Sequence, residues 1–171
     1  MPVDVKIGRQ DFCYGSAFFL GNDDFYQGLA WDGFKIHSET FADYSLDFIA
    51  ARMVSFNDNN SHIFGIYGFY GRYKGIGNTD VDLYFFFNRK GFKHIYGHIH
   101  GSPLCFTLGM RLAGRLLERI SFEFEPMYQF GRVRNEVRSG DDQIWAYGGH
   151  FDVGYEFNLP RYNLDVPPIS C

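Results

Sequence analysis

The chain has 171 residues, enough for one domain or a piece of a larger one, and carries a net charge of −4 from 16 basic and 20 acidic side chains. With no basic tract, nucleic-acid binding has little electrostatic support. Aromatic residues make up 20% of the chain and glycines number 20, a mixture that favours strands and turns over a helical bundle. The mean hydropathy is −0.23, and no run approaches the ~18 apolar residues of a membrane-spanning helix. A membrane role would therefore have to use alternating strands, whose signal averages away in a hydropathy profile.

In chain order, alternation and β-propensity predict eight strands, over about 3–12, 30–40, 43–56, 62–73, 79–88, 105–117, 119–132 and 143–158. The start "MPVDVKIGRQ" lacks a basic stretch followed by an apolar core, so no signal peptide is read there. Taken alone, that start implies a cytoplasmic protein or a chain whose beginning is missing. Turn signals separate the strands: "GNDD" at 21–24, "NDNNS" at 57–61, "KGIGN" at 74–78, "NRKG" at 88–91 and "RSGDD" at 138–142. The regular spacing without a convincing helix predicts an all-β, antiparallel up-and-down meander of about eight strands. Residues 1–158 read as a single β-barrel segment, and 159–171, with Pro167-Pro168 and a final Cys, as an off-pattern tail.

The segment 110–120, "MRLAGRLLERI", competes, because Ala113, Leu116, Leu117 and Ile120 also fit a helical stripe. Gly114 weakens the helix, and a hairpin around Leu117-Glu118-Arg119 pairs Leu116 with Ile120, Leu112 with Phe124, Leu108 with Tyr128 and Phe106 with Phe130. The same register sets Arg111 against Glu125 and Arg115 diagonal to Glu123.

In each late strand one parity is aromatic and the other mixes charge with glycine. Trp145, Tyr147, Phe151, Val153, Tyr155 and Phe157 oppose Gly148, His150, Asp152, Gly154 and Glu156; Val81, Leu83, Phe85 and Phe87 oppose Asp80, Asp82, Tyr84 and Asn88. A soluble barrel would enclose the apolar parity at high packing density. A transmembrane β-barrel or partial barrel inverts this, with rings facing lipid and a polar, partly charged interior facing water. The inverted arrangement fits the crowding of rings better. The alternative is a soluble eight-stranded β-barrel whose aromatic parity lines a cavity for a small apolar ligand.

The segment "IGRQDFCYGSAFFLGNDDFYQGLAWDGFKI" (7–36) resembles a stretch of the bacterial alginate export family of outer-membrane barrels. There a Gly-Arg-Gln strand end leads through a Tyr-Gly loop to a Phe-Asp-Gly strand start. Here those elements are Gly8-Arg9-Gln10, Tyr14-Gly15 and Trp31-Asp32-Gly33. "FEFEPMYQFG", with Tyr128, Gln129 and Gly131, followed by "IWAYGGHFDVGYEF", is similar to a later strand pair of the family. The resemblance spans roughly residues 5–158 and implies a large outer-membrane barrel of about eighteen strands, of which this chain would be a fragment. It implies passage of an anionic polysaccharide or related polar solute, with no catalysis and no cofactor. Its implied surroundings are outer-membrane lipid and periplasmic export components. Family pores that handle alginate carry a cluster of arginines; by parity the channel-lining candidates here are Lys35, Arg111 and Arg115, accompanied by Asp82, Glu123, Glu125, His150 and Asp152. That mixed charge departs from a strongly cationic conduit.

Other residues tempt sharper readings. His94, His98 and His100 share a parity, but without a carboxylate at fixed spacing they read as structural, and no metal is expected. "GNDD" and "NDNNS" lack the EF-hand pattern and read as turns. The pairs Glu123/Glu125 and Asp80/Asp82 read as solvated lumen or surface carboxylates; a glycosidase using Glu123 and Glu125 is a remote reading, because side chains two apart on one strand face point the same way instead of flanking a scissile bond. Arg9 and Asp32 read as a pair where a strand meets its loop, or as pore-lining charges. Cys13, Cys105 and Cys171 read as incidental thiols.

Overall fold

The computed structural model describes residues 2–21, 23–24, 27–28, 30–41, 43–54, 65–89, 104–117, 119–135 and 140–157. His94, His98, His100, the "NDNNS" segment and the tail 159–171 lie outside the described residues. Among the described residues ten strands follow one another: β1 (Val3–Gln10), β2 (Asp23–Asp24), β3 (Gln27–Gly28), β4 (Trp31–Phe41), β5 (Tyr44–Met53), β6 (Gly65–Ile76), β7 (Thr79–Arg89), β8 (Leu104–Leu116), β9 (Ile120–Asn135) and β10 (Gly140–Tyr155). Eight of them form a single antiparallel sheet in the order β1-β4-β5-β6-β7-β8-β9-β10, with β1 and β10 as its edges. β2 and β3 pair with each other, so the second half of the "GNDD" stretch, read from sequence as a turn, is a short strand. The meander predicted from alternation is the observed architecture.

The contested segment 110–120 is strand and turn. Leu116 pairs with Ile120, Leu112 with Phe124, Leu108 with Tyr128 and Phe106 with Phe130, the register that alternation dictates. Leu117 adopts φ 52° and its carbonyl accepts from Arg119 N at 2.7 Å, so the chain reverses too tightly for a helix to continue.

The two ends of the sheet differ. At one end the links are short, at 42–43, 77–78 and 117–119; at the other they run over 11–30, 54–64, 90–103 and 136–139. Backbone bonds tie the short turns sideways: Lys74 N donates to Asp43 O, Arg115 N to Asn78 O and Glu156 N to Arg119 O. Short turns at one rim and long loops at the other are the asymmetry of outer-membrane barrels.

One face of the sheet is open and carries the rings. Phe69, Phe85, Leu108, Phe124, Tyr128 and Trp145 are exposed there, Phe151 is 70% exposed and Tyr147 92%. Neighbouring rings form a band: Phe48–Phe69, Phe85–Phe106, Phe106–Phe130 and Tyr128–Trp145 lie with centroids 5.0 to 6.2 Å apart. The soluble alternative required these rings to be enclosed together, and they are not. Because Leu108 sits mid-strand on this face, which the resemblance expects against lipid, Leu108→Arg should destabilise the vesicle-reconstituted protein by about 2–4 kcal/mol. Equilibrium unfolding in urea from lipid vesicles measures this, and a loss below about 0.5 kcal/mol would remove the face from the hydrocarbon.

The opposite face holds the core, and here the structure corrects the expectation of a wet, polar surface. Ile49, Ala51, Ile66, Tyr70, Tyr84 and Phe86 are buried beside Asp47, Asp82, Thr107 and Glu125. What covers them is the segment 11–21, read from sequence only as a loop with a family-like motif. It is compact, since Tyr14 N donates to Leu20 O at 2.9 Å and Ala17 N to Tyr14 O at 3.0 Å. Yet it reaches seven consecutive strands. Phe12 meets Trp31 on β4, Tyr14 meets Asp47 on β5 and Tyr70 on β6, and Phe19 meets Tyr84 and Phe86 on β7. Gly15 abuts Arg111 on β8, Ser16 bonds Glu125 on β9, and Phe18 lies 6.1 Å from His150 on β10. Flat, those strands would extend over roughly 29 Å at ~4.8 Å per step. A loop this small touches all of them only because the sheet curls around it.

Candidate functional site

Register places every predicted channel-lining residue on the loop-covered face. Lys35 on β4, Asp82 on β7, Arg111 and Arg115 on β8, Glu123 and Glu125 on β9, and His150 and Asp152 on β10 share its parity. The structure brings six of them under or beside the loop. Arg115 and Asp152 stand apart, exposed towards the short-turn end; Arg115 forms an open ion pair with Glu156 at 3.2 Å instead of approaching Glu123.

The charges form two ion-paired clusters, around Asp47 and around Asp82, with Glu125 bonded to hydroxyls beside them. Lys35 Nζ lies 2.8 Å from Asp47 Oδ2 and 5.0 Å over the Tyr14 ring, and His37 Nδ1 contacts the other Asp47 oxygen. Asp82 is fully buried and accepts from Tyr70 Oη at 2.6 Å, Arg72 Nε at 3.0 Å and Arg111 Nη1 at 3.0 Å. Arg111 also donates from Nε to Glu123 at 2.6 Å. The expected Arg111–Glu125 contact is absent: Glu125, 2% exposed, accepts from Tyr84 Oη at 3.0 Å and Ser16 Oγ at 2.8 Å. A buried carboxylate holding hydroxyl donors on both oxygens is satisfied without an arginine.

Asp47, His37, Tyr70, Arg72 and Tyr84 were not singled out from the sequence. Parity could have found them, since Tyr70 and Arg72 lie on the same face as Asp82 and Tyr84, one strand away. Their roles depend on the loop, which periodicity does not place.

The motif residues have distinct physical tasks. Arg9 and Asp32, opposite each other in register, make a two-contact ion pair at 3.0 and 3.2 Å on the outer parity, where β1 meets its loop; the pairing alternative holds. Gln10 Nε2 donates to Gly33 O at 3.2 Å, fixing the point where the chain turns onto the covered face. Tyr128 packs in the outer ring band, Gln129 Nε2 donates to Thr107 Oγ1 at 3.1 Å, and Gly131 faces Cys105 in the ladder. In the loop Cys13 is disulfide-bonded, contrary to the reading of three incidental thiols, whereas Cys105 is a free thiol.

Tyr14 and Gly15 set the loop tip. Burial, and then the bond to Asp47, push the Tyr14 hydroxyl well above its ordinary range, so it stays a donor at any physiological pH. Gly15 has φ +60°, and a Cβ there would lie 2.7 Å from Arg111 Cδ and 3.2 Å from Glu125 Oε2. Gly15→Val should lift the loop tip, lowering stability by about 1–3 kcal/mol and raising protease cleavage within 11–21. Unchanged cleavage would show that the tip is not held where Arg111 meets it.

Among the described residues no group of His, Cys, Asp and Glu is arranged to hold a metal ion, and no helix is long and apolar enough to cross a membrane, which leaves strand-crossing open. Comparison with curated proteins and with solved structures finds no match. The family model described as alginate export matches residues 1–166, nearly the whole chain and all the strands described above. An open ring-bearing face, a covered face of linked charges and this match converge: the chain belongs to the alginate export family.

Proposed function

We propose that the chain forms part of the wall of an outer-membrane export channel, with the ring-bearing face against lipid and the loop-covered face towards the water path. The observation that carries this reading is the inversion itself. Phe151, Tyr147 and Trp145 are open to the surroundings while Asp82 and Glu125 are buried behind a loop on the other side. In water that arrangement exposes apolar area without compensation; in a bilayer it is the favourable one. The short-turn rim would face the periplasm and the long loops the exterior. Residues 1–158 would act as one segment of a larger barrel, because eight strands close around an interior that side chains fill.

In this reading Lys35, Asp82, Arg111, Glu123, Glu125 and His150 border the path at the loop, and Arg115 and Asp152 border it nearer the short turns. The work is passage of a polar, saccharide-type solute, with no bond made or broken. Expression with an export signal should deliver the protein to the outer-membrane fraction, and the complete barrel that contains this segment should conduct ions after reconstitution into planar bilayers. A monodisperse protein in plain buffer would count against the membrane assignment.

A further inference from the structure

The covered face is organised as a binding surface whose occupant, in this structure, is the protein's own loop. The rings of Tyr84 and Phe86 lie flat along the wall. A Cβ on Gly109 would sit 2.1 Å from Tyr84 Cζ, and one on Gly68 2.5 Å from Phe86 Cδ1, so each ring rests on a glycine of the neighbouring strand. Tyr70 continues the platform, parallel to Tyr84 within 4° at 5.7 Å between centroids. Flat rings backed by strand present one π face to whatever lies in the trough.

Two loop rings take those faces. Phe19 stacks on Tyr84 at 5.4 Å and 11°, and Tyr14 lies over Tyr70 at 4.4 Å. Two loop hydroxyls take the flanking carboxylates: Tyr14 Oη donates to Asp47 Oδ2 and Ser16 Oγ to Glu125 Oε2. Ring against ring, with hydroxyl donors on carboxylates at the edges, is the contact set that a pyranose makes. Its axial C–H face packs on an aromatic ring, and its equatorial hydroxyls donate to carboxylates.

We propose that this face is a binding site for a neutral, hydroxyl-rich oligosaccharide, and that Tyr14, Ser16 and Phe19 occupy it as an internal mimic until the sugar displaces them. The inference rests on the channel reading above and names its solute class. Charge selects the neutral sugar over a polyuronate. Lys35 is engaged by Asp47, Arg72 by Asp82, and Arg111 by Asp82 and Glu123. A uronate carboxylate entering between Asp47 and Glu125 would meet two like charges, with the nearby cations already neutralised.

The test uses the complete barrel that contains this chain in planar bilayers, with a neutral β-1,4-glucose hexasaccharide and a hexameric oligouronate as probes, each read as concentration-dependent block of the ion current. The neutral probe should block. Tyr14→Ala combined with Phe19→Ala should bind it about tenfold tighter, because the internal competitor is gone. Tyr84→Leu should bind it about tenfold more weakly, and Tyr84→Phe should recover most of that loss, since the π face remains. Tighter block by the oligouronate, or neutral block unmoved by the loop and Tyr84 variants, overturns the site while leaving the channel standing. A complete barrel that carries no current in any variant overturns the channel and this site with it.

Discussion

Replacing Asp82 by Ala should destabilise the protein by about 3–5 kcal/mol, the largest loss expected from any single charge on the covered face. Asp82 is fully buried, and its two oxygens hold Arg72, Arg111 and the Tyr70 hydroxyl. Removing it leaves the guanidinium groups of Arg72 on β6 and Arg111 on β8 facing each other across β7, with only Arg111 still paired, to Glu123. Asp82→Asn keeps one acceptor oxygen and should lose less. The measurement is the urea midpoint in lipid vesicles, followed alongside the temperature at which the folded species disappears from unheated electrophoresis. A shift worth under about 1 kcal/mol would mean the cluster around Asp82 behaves like a solvated surface one, and the description of a covered face would fail.

The second large effect follows from the proposed channel. Excising residues 12–20 and joining the flanks by a short Gly-Ser link should raise single-channel conductance several-fold, because the segment fills the trough from Trp31 on β4 to His150 on β10. It should also lower stability, since Phe12, Tyr14 and Leu20 leave the core. Conductance unchanged by the excision would place the water path elsewhere. Loss of both conductance and folded protein would show the loop to be part of the scaffold. The intermediate variant Tyr14→Phe, which keeps the ring on Tyr70 and removes only the bond to Asp47, then distinguishes the two; a gain in conductance from it supports a loop held by that bond.

The ion pairing also bears on the family's chemistry. A channel selecting strongly anionic chains would be expected to show bare cations. Here Lys35, Arg72, Arg111 and Arg115 each meet a carboxylate. The same face also holds Asp47, Asp82, Glu123, Glu125, Asp152 and Glu156, six carboxylates against those four cations, and this acidic excess opposes a polyanion more than a neutral polar solute.

Much of this was legible in the residues before any coordinate. A two-residue period is a local property of the chain, so the strands, the register of β8 against β9 and the face on which Asp82, Glu123, Glu125 and Arg111 lie could be read from alternation alone. The pair Arg9–Asp32 was accessible from the family-like segments, with pore lining as the alternative, and the register of β1 with β4 sets the two opposite each other. Partner choice was not. Arg111 joins Asp82 and Glu123 in place of Glu125, because Glu125 is taken by Tyr84 and by Ser16, a residue 109 positions away. Nothing periodic announces that segment 11–21 turns back over the sheet. Its place depends on a curl that brings seven strands within reach of one small loop, and on Gly15, Gly68 and Gly109 leaving room for side chains from other strands and the loop. Which face each residue takes is decided by its neighbours in sequence; what it touches there is decided by residues that only folding brings near.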